Sequence, residues 1–180
     1  KLPHLRRAGC AAHSRRKFYE AALQGDRQAI WFIGRFRELY RIEDEAGKTS
    51  PEDRQALRAA QAPPVWEEMR TRAQQLQPLV LPQSLLGKAI GYALERWTEL
   101  CRYVEHGRAE IDNNWCENAI RPTALGKKNF LFIGHPEAGW RSAVIYSVLG
   151  SCRRLGIDPH EYLRDVLRRL PDMKASEVEQ

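Results

Sequence analysis

The chain has 180 residues, 43% of them hydrophobic and 29% charged, a composition of globular rather than disordered proteins. No apolar run approaches the ~20 residues of a membrane helix, and the N-terminus does not read as a signal peptide. We therefore expect a cytoplasmic protein with no membrane partner. The net charge of +6 permits nucleic-acid binding but does not establish it.

Basic residues cluster in two stretches that contain no acid. The first seventeen residues hold six basic side chains, and residues 118–136 hold three more. They include Arg15, Arg16 and Lys17 in the first stretch and Arg121, Lys127 and Lys128 in the second. Either cluster alone is most simply a solvated helix face, although lysine and arginine also supply most of the non-specific affinity for DNA.

The four cysteines, Cys10, Cys101, Cys116 and Cys152, lie far apart and form no CxxC pair. This spacing predicts reduced thiols rather than a disulfide framework. Cys10 and His13 have the CxxH spacing of metal ligands, but a structural zinc site takes four ligands and no second pair follows. The cysteines therefore predict no zinc site.

Helices are predicted over the first hundred residues. One has an apolar stripe at three-to-four spacing and ends at Gly47. The members of the stripe are Ile30, Ile33, Phe36 and Tyr40. The next begins with a capping box, in which Ser50 is the N-cap, Pro51 lies in the first turn and Asp53 is the acidic partner.

Proline and glycine set the limits of the helices that follow. Pro63 and Pro64 are expected to interrupt the Ser50 helix, because proline lacks the amide hydrogen. A further helix runs through VWEEMRTRAQQL and stops near Pro78. Ser84 caps the next, LLGKAIGYALERWTELCRYVEHG, which Gly107 closes. Its apolar repeat comprises Ile90, Leu94, Trp97 and Cys101.

After Gly107 the pattern changes. RAEI is short and could be extended, and KNFLFIG, bounded by Gly126 and Gly134, predicts a buried strand. A helix follows from about Ala138 to Leu155. Its apolar side comprises Val144, Val148, Cys152 and Leu155.

The last predicted helix has the clearest start. Asp158 is its N-cap, Pro159 lies in the first turn and Glu161 closes the capping box. Its apolar face comprises Leu163, Val166, Leu167 and Leu170.

The stretch EIDNNWCENAIRP, residues 110–122, holds three acids and three asparagines. On a helix that starts near Asn113, residues 113, 117 and 121 share one face, because four residues span about one turn. Glu117 would then project beside Arg121. The other side, which could bury the helix, comprises Trp115, Cys116, Ala119 and Ile120. An exposed carboxylate suits Mg²⁺, which prefers hard oxygen ligands.

Helix capping accounts for the same residues without a metal. Asn114 and Glu117 stand three apart, the geometry of a capping pair, and Asp112 is an equally good cap. One carboxylate is not a metal site, since two-metal phosphoryl transfer needs several around ions about 4 Å apart. The spacing leaves both alternatives open.

Three long segments resemble the C-terminal half of the transposase of the insertion sequence 66 family, a bacterial group. They are AGCAAHSRRKFYEA, the stretch that runs from LPQSLLGKAIG to GKKNFLFIG, and AVIYSVLGSCRRLGIDPHEYLRDVLRRLP. The strings DNNxxEx₃RP and GKKNxLF occur in order, which is far more specific than one motif, and the resemblance covers nearly the whole chain. It implies an RNase-H-like, acid-triad core that cuts and joins DNA.

The fold implied by this resemblance is mainly α, within an α+β class. It is the C-terminal half of an RNase-H-like core interrupted by a helical insertion. Residues 1–13 would hold the last core strand region and residues 14–106 the insertion. Residues 107–170 would complete the core with the late catalytic helix, and residues 171–180 would be a tail.

The resemblance makes Glu117 the third acid of the catalytic triad and a metal ligand. The other two acids, both aspartates, are expected before Lys1, and Mg²⁺ or Mn²⁺ would bind only with them. We therefore expect this chain alone to be inactive. Asn113, Asn114 and Asp112 would have supporting roles. DNA contacts are expected from Arg121, Lys127, Lys128, Arg141, Arg15, Arg16 and Lys17.

The implied partners are element-end and target DNA, with further copies of the protein in a homo-oligomeric transposition complex. Two interpretations from other classes remain. A non-catalytic helical DNA-binding or assembly module would lack aspartates at strand ends in the preceding sequence. A basic helical protein with no nucleic-acid role would show binding without salt dependence.

Overall fold

The computed structural model describes residues 6–174, which are mainly helical and contain no strand. The α-helices are α1 (Ala11–Ala22), α2 (Arg27–Ala46), α3 (Pro51–Leu76), α4 (Leu85–Glu95), α5 (Trp97–Cys101), α6 (Asn114–Phe130), α7 (Pro136–Arg154) and α8 (Pro159–Arg169). Short 3₁₀ turns follow at Gln77–Leu79, Arg102–Glu105 and Leu170–Asp172. The chain divides into two compact units, Lys1–Asn113 and Asn114–Gln180.

The first unit has a continuous aromatic core. Phe18 of α1 stacks on Phe32 of α2, with ring centroids 4.3 Å apart. Trp66 of α3 meets Phe36 and Trp97 edge to face, at 6.0 and 5.4 Å. These contacts join α1, α2, α3 and α5, so helices distant in sequence share one buried cluster.

Helix α2 has a different buried face from the predicted stripe. Phe36 is buried as expected, and Ile33 and Tyr40 are half-buried against the core, but Ile30 is 52% exposed. The face consists of Ala29, Phe32, Phe36, Leu39, Ile42 and Ala46. Because α2 packs against both α1 and α3, its neighbours select which of two adjacent apolar rows is covered.

Helix α3 runs through Pro63 and Pro64, so the predicted interruption is wrong. The Ser50 cap is confirmed, because Ser50 Oγ accepts a hydrogen bond from the amide of Asp53 at 3.1 Å. Both prolines lie on the exposed side, where a lost backbone hydrogen bond can be replaced by water. Residues on either side of them are buried, and their packing keeps the helix continuous.

The Ser84 cap of α4 is confirmed by a 3.0 Å hydrogen bond from the amide of Gly87. The single long helix predicted to reach Gly107 is instead divided. Arg96, at φ −112° and ψ 19°, separates α4 from α5. Ile90 and Trp97 are nevertheless buried, as the apolar repeat predicts.

The predicted strand KNFLFIG is not a strand. Residues 127–130 form the last turn of α6, and residues 131–134 have no regular structure. Leu131 takes a positive φ of 59°, which ends the helix, and Phe132 is 82% exposed. The described part of the chain offers no neighbouring strand for pairing, so the backbone of Lys127–Phe130 is satisfied within the helix instead.

The two other segments that were predicted to be extended, RAEI and the N-terminal core strand region, also contain no strand in their described residues. RAEI lies in turns and bends, and residues 6–10 have no regular structure before α1 begins at Ala11. The first five residues of the predicted core strand region and the last six of the predicted tail lie outside the described residues. Within the described range, no helix is long and apolar enough to span a membrane.

The second unit confirms two predicted helices but buries little of their apolar faces. Asp158 Oδ1 accepts hydrogen bonds from the amides of His160 and Glu161, which also hold its pKa below the usual value. Cys152 is the one buried residue between positions 114 and 174. Val148, Leu163 and Val166 are half-buried, whereas Val144, Leu155, Leu167 and Leu170 are exposed.

Candidate active-site segment

The segment 106–112, just before the asparagine-rich stretch, is fixed within the first unit by a buried arginine. Arg58 of α3 has no exposed surface and pairs with Glu43 of α2 through both carboxylate oxygens. Its Nη1 donates to the carbonyl oxygens of His106 and Ala109, at 2.9 and 2.8 Å. The buried guanidinium therefore has hydrogen-bond acceptors on two sides, and two of them belong to this segment.

Gly107 packs directly on the start of α3. A Cβ atom at this position would lie 1.7 Å from the carbonyl oxygen of Pro51, far inside van der Waals contact. Arg54 forms an ion pair with Glu110 at 3.1 Å, one turn before Arg58 on the same helix. Only glycine fits at residue 107 while these contacts are kept.

The end of the segment is held by α1 and α2. The amide of Ala11 donates to the carbonyl of Ile111 at 3.0 Å, and Ile111 itself is buried. Tyr40 Oη donates to Asp112 Oδ2 at 3.0 Å. Burial raises the pKa of Tyr40, and the neighbouring Asp112 carboxylate raises this pKa further. The phenol therefore keeps its proton and remains a hydrogen-bond donor. Asp112 is thus a fixed acceptor in the first unit.

Helix α6 begins at Asn114, close to the predicted position, and Glu117 lies in its first turn. Glu117 and Arg121 are one turn apart and both are exposed, and Asn113 precedes the helix. The face predicted to be buried is not: Trp115 and Ile120 are each 63% exposed, and Cys116 and Ala119 are exposed too. Their exposure reflects the small core of this unit, where one residue of the described range is buried.

The basic candidates lie in different parts of the two units. Lys127 and Lys128 occupy the last turn of α6, about ten residues and hence about 15 Å along the axis from Glu117. Arg141 is 75% exposed and lies 3.8 Å from Glu137 in α7. In the first unit, Arg15 and Arg16 of α1 are exposed, while Lys17 Nζ lies 5.0 Å from the centre of the Tyr92 ring. The first unit thus presents two exposed arginines at the start of α1.

The carboxylates of the described residues do not form a metal-binding cluster. No group of three or more histidine, cysteine, aspartate or glutamate side chains is close enough to hold an ion between positions 6 and 174. Glu117 by itself fits a divalent metal, because a carboxylate oxygen is the ligand that Mg²⁺ prefers. The described chain can therefore supply one acidic ligand but not a complete set.

The side chains that fix the segment before Glu117 are not recognisable from the sequence. Tyr40, Arg54 and Arg58 lie on helices far from it in sequence, and an arginine inside a predicted helix looks like a surface residue. The only available signal was Gly107, whose position next to the acidic stretch indicates a close backbone approach.

Two family models together match almost all of the chain. The model described as "Transposase IS66 family" matches residues 1–141, and the model described as "IS66 C-terminal element" matches residues 147–180. Similar curated proteins include three uncharacterized proteins of Sinorhizobium fredii (strain NBRC 101917 / NGR234), y4jD, y4hP and y4qI. They are 38%, 34% and 36% identical over 92%, 92% and 96% of the chain. The chain spans about a third of their lengths (33%, 32% and 32%), and no solved structure matches it.

Proposed function

The chain belongs to the IS66 family of transposases, and we propose that it is part of an enzyme that cleaves DNA and transfers strands during transposition of an insertion sequence. The observation that carries this proposal is Glu117, an exposed carboxylate in the first turn of α6. It lies within DNNWCEN, where the resemblance expects the third acid of a catalytic triad.

In this proposal Glu117 is a ligand to Mg²⁺ or Mn²⁺, together with two aspartates from the remainder of the longer protein. The metal would stabilise charge on the attacking and leaving oxygens of the phosphodiester. Arg121, one turn further along the exposed face, would contact a neighbouring phosphate. Asn113, Asn114 and Asp112 would orient the Glu117 carboxylate, and helix capping remains their alternative role.

The other DNA contacts in this proposal come from both units. In the second unit they are Lys127, Lys128 and Arg141, and in the first unit Arg15, Arg16 and Lys17. Each is a charge-based contact that would position the DNA backbone without reading its sequence. Copies of the longer protein would assemble on the element ends in a homo-oligomeric complex.

The longer protein would supply what the described residues lack. Its strands would complete an RNase-H-like core and cover apolar side chains that the second unit exposes, such as Phe132 and Trp140. Since the described chain holds one acid of the proposed triad, the 180-residue chain alone should show no metal-dependent cleavage.

The decisive change is Glu117→Gln in the longer protein, assayed for Mg²⁺-dependent strand transfer on element-end DNA. Glutamine keeps the shape but removes the charged ligand, so we expect strand transfer to fall at least about a hundredfold while DNA binding is retained. Glu161→Gln is the matched control, because Glu161 is also an exposed glutamate in the first turn of a helix, and its ion-pair partner Arg164 is not a proposed DNA contact. Wild-type activity in Glu117→Gln would remove Glu117 from the catalytic set.

A second candidate function is a non-catalytic DNA-binding or assembly module. It is favoured by the first unit, whose helical core and ion pair between the buried Arg58 and Glu43 are complete within the described residues. If the longer protein binds DNA with a strong salt dependence but never cleaves it in Mg²⁺ or Mn²⁺, this function replaces the enzyme.

A further inference from the structure

A groove of about 730 Å³ lies between α6 and α7, entirely within the second unit. Its lining includes the polar and aromatic side chains of Asn114, Trp115, Asn118, Ser147, Ser151 and Arg154. This volume is within the range of sites for small organic ligands. The groove is therefore large enough for one or two nucleotides.

The groove combines positive charge with an exposed aromatic ring. Its lining contains two arginines, Arg153 and Arg154, and no acidic residue. The guanidinium carbon of Arg154 lies 5.4 Å from the centre of the Trp115 ring, and that ring is 63% exposed. An anion that also carries a flat aromatic group fits Arg154 and Trp115. The arginine attracts the negative charge, and the indole of Trp115 stacks on the aromatic group of the ligand.

The remaining lining supplies hydrogen-bonding groups suited to a base. Asn114 and Asn118 are one turn apart on α6, and Ser147 and Ser151 are one turn apart on α7. Amides and hydroxyls both donate and accept hydrogen bonds, as the edges of bases require. Ser147 Oγ donates to the carbonyl oxygen of Ala143 at 2.8 Å, so this hydroxyl offers an occupant its acceptor lone pairs.

We propose that the α6–α7 groove binds an unpaired nucleotide of a DNA strand, with its base stacked on Trp115 and its phosphate at Arg154. The choice of DNA rests on the proposed function. Glu117 projects about 60° around α6 from Asn114, a residue of the groove wall. A strand held beside the Glu117 carboxylate can therefore direct a neighbouring base into the groove.

Binding is tested with the 180-residue chain and a fluorescein-labelled ten-nucleotide single strand, compared with a blunt duplex, by fluorescence anisotropy in EDTA. Trp115→Ala should weaken single-strand binding about tenfold or more, because each base stacked on an aromatic ring contributes strongly to affinity. Trp115→Tyr should retain most of the affinity. Trp140→Ala is the matched control, since Trp140 is 71% exposed and does not line the groove.

The contribution of Arg154 is measured separately, from the salt dependence of single-strand binding. Arg154→Gln should reduce the slope of log affinity against log salt by about 0.7, the value for one phosphate contact on a single strand. Arg168→Gln removes an exposed arginine of α8 outside the groove and should leave the slope unchanged. Equal slopes for the two variants would contradict a phosphate at Arg154.

Two outcomes would overturn the nucleotide site. One is equal loss of single-strand affinity in Trp115→Ala and Trp140→Ala. The other is complete protection of Trp115 from acrylamide quenching in the DNA-free longer protein, because its own chain would then fill the groove. Neither readout uses catalysis. The two proposals can therefore fail separately. If Trp115→Ala loses single-strand binding while Glu117→Gln retains full strand transfer, the nucleotide site is supported and the catalytic role of Glu117 is rejected.

Discussion

Arg58 shows how a single residue connects the first unit to the segment before Glu117. A buried charge is costly unless it is paired and hydrogen-bonded, and Arg58 meets that condition with Glu43 and two backbone carbonyls. Removing it would take the donor from the largely buried Glu43 carboxylate and from the Ala109 carbonyl, while the His106 carbonyl would keep its hydrogen bond from the amide of Ala109. The geometry of the segment 106–112 thus depends on contacts made by helices far away in sequence.

Gly107 is predicted to tolerate no larger residue. Gly107→Ala places a Cβ atom 1.7 Å from the Pro51 carbonyl oxygen, so backbone must move, and we expect a loss of about 3 kcal/mol in the free energy of unfolding. Gly91→Ala is the control, because nothing lies within 4 Å of a Cβ atom there. Gly91→Ala should increase the free energy of unfolding by about 0.5–1 kcal/mol, because alanine is favoured over glycine inside a helix and Gly91 is inside α4. Urea unfolding followed by circular dichroism measures both, and equal effects would contradict the close approach.

Cys101 is predicted to make stability fall at alkaline pH. Burial raises the pKa of this thiol to about 12, with Arg70 lowering it and Glu67 raising it. The unfolded thiol titrates near ~8.5, so the stabilisation is complete below that pH and is lost as pH rises toward 12. Between pH 8 and 10, we expect wild type to lose about 2 kcal/mol more unfolding free energy than Cys101→Ala.

The matched control for this pH dependence is Cys116→Ala, which removes an exposed thiol. It should follow the wild-type change in unfolding free energy between pH 8 and 10. A Cys101→Ala protein that loses as much as wild type would show that other groups, such as the buried tyrosines, carry the whole alkaline effect.

At the scale of the element, α3 and α6 both contain prolines that local rules place at helix ends. Pro63 and Pro64 lie inside α3, and Pro122 lies inside α6. Each removes a donor and crowds the preceding turn. Packing of the flanking residues of α3, including Ala62 and Val65, offsets that loss.

Replacing the two α3 prolines is predicted to stabilise the protein. The double change Pro63→Ala and Pro64→Ala restores two backbone donors without removing buried surface, because both side chains are exposed. We expect thermal and urea unfolding to show a gain of about 1–3 kcal/mol. Pro51→Ala should give no such gain, since proline is favoured at the first helical position. A destabilised double variant would mean that the prolines support α3 in the native state.

At the scale of the whole molecule, the two units differ in how much they bury. The first has an aromatic and aliphatic core that includes Phe18, Phe36 and Trp66. In the described part of the second, Cys152 alone is buried, while Phe132 and Trp140 are largely exposed. Since buried apolar area is the main source of folding free energy, the two units should differ in stability.

Separate expression of residues 1–113 and 114–180 is predicted to expose this difference. The first fragment should unfold cooperatively in urea, as expected for a domain with its own core. The second should bind the dye ANS and lack a cooperative thermal transition by near-ultraviolet circular dichroism. A cooperative transition in the second fragment would show that its exposed apolar side chains are compatible with a stable fold.

Local features of this protein are predictable from its amino-acid sequence alone. Helix caps and helix ends depend on residues within one turn, so local sequence patterns identify them. Examples are the caps at Ser50, Ser84 and Asp158 and the end of α2 at Gly47. The start of α6 near Asn113 and the exposure of Glu117 follow from the same short-range rules. Family membership was also evident, because the matching strings are long and ordered.

Features that depend on distant partners are set by the packing of the helices against one another. Neighbours that a local pattern does not contain set three of these features. They are the buried row of α2, the continuation of α3 past Pro63, and the absence of strand pairing at KNFLFIG. The contacts of Arg58 and Tyr40 with the segment before Glu117 have the same origin. Burial and hydrogen bonding are properties of residues brought together by folding, and Tyr40 and Asp112, for example, are 72 positions apart.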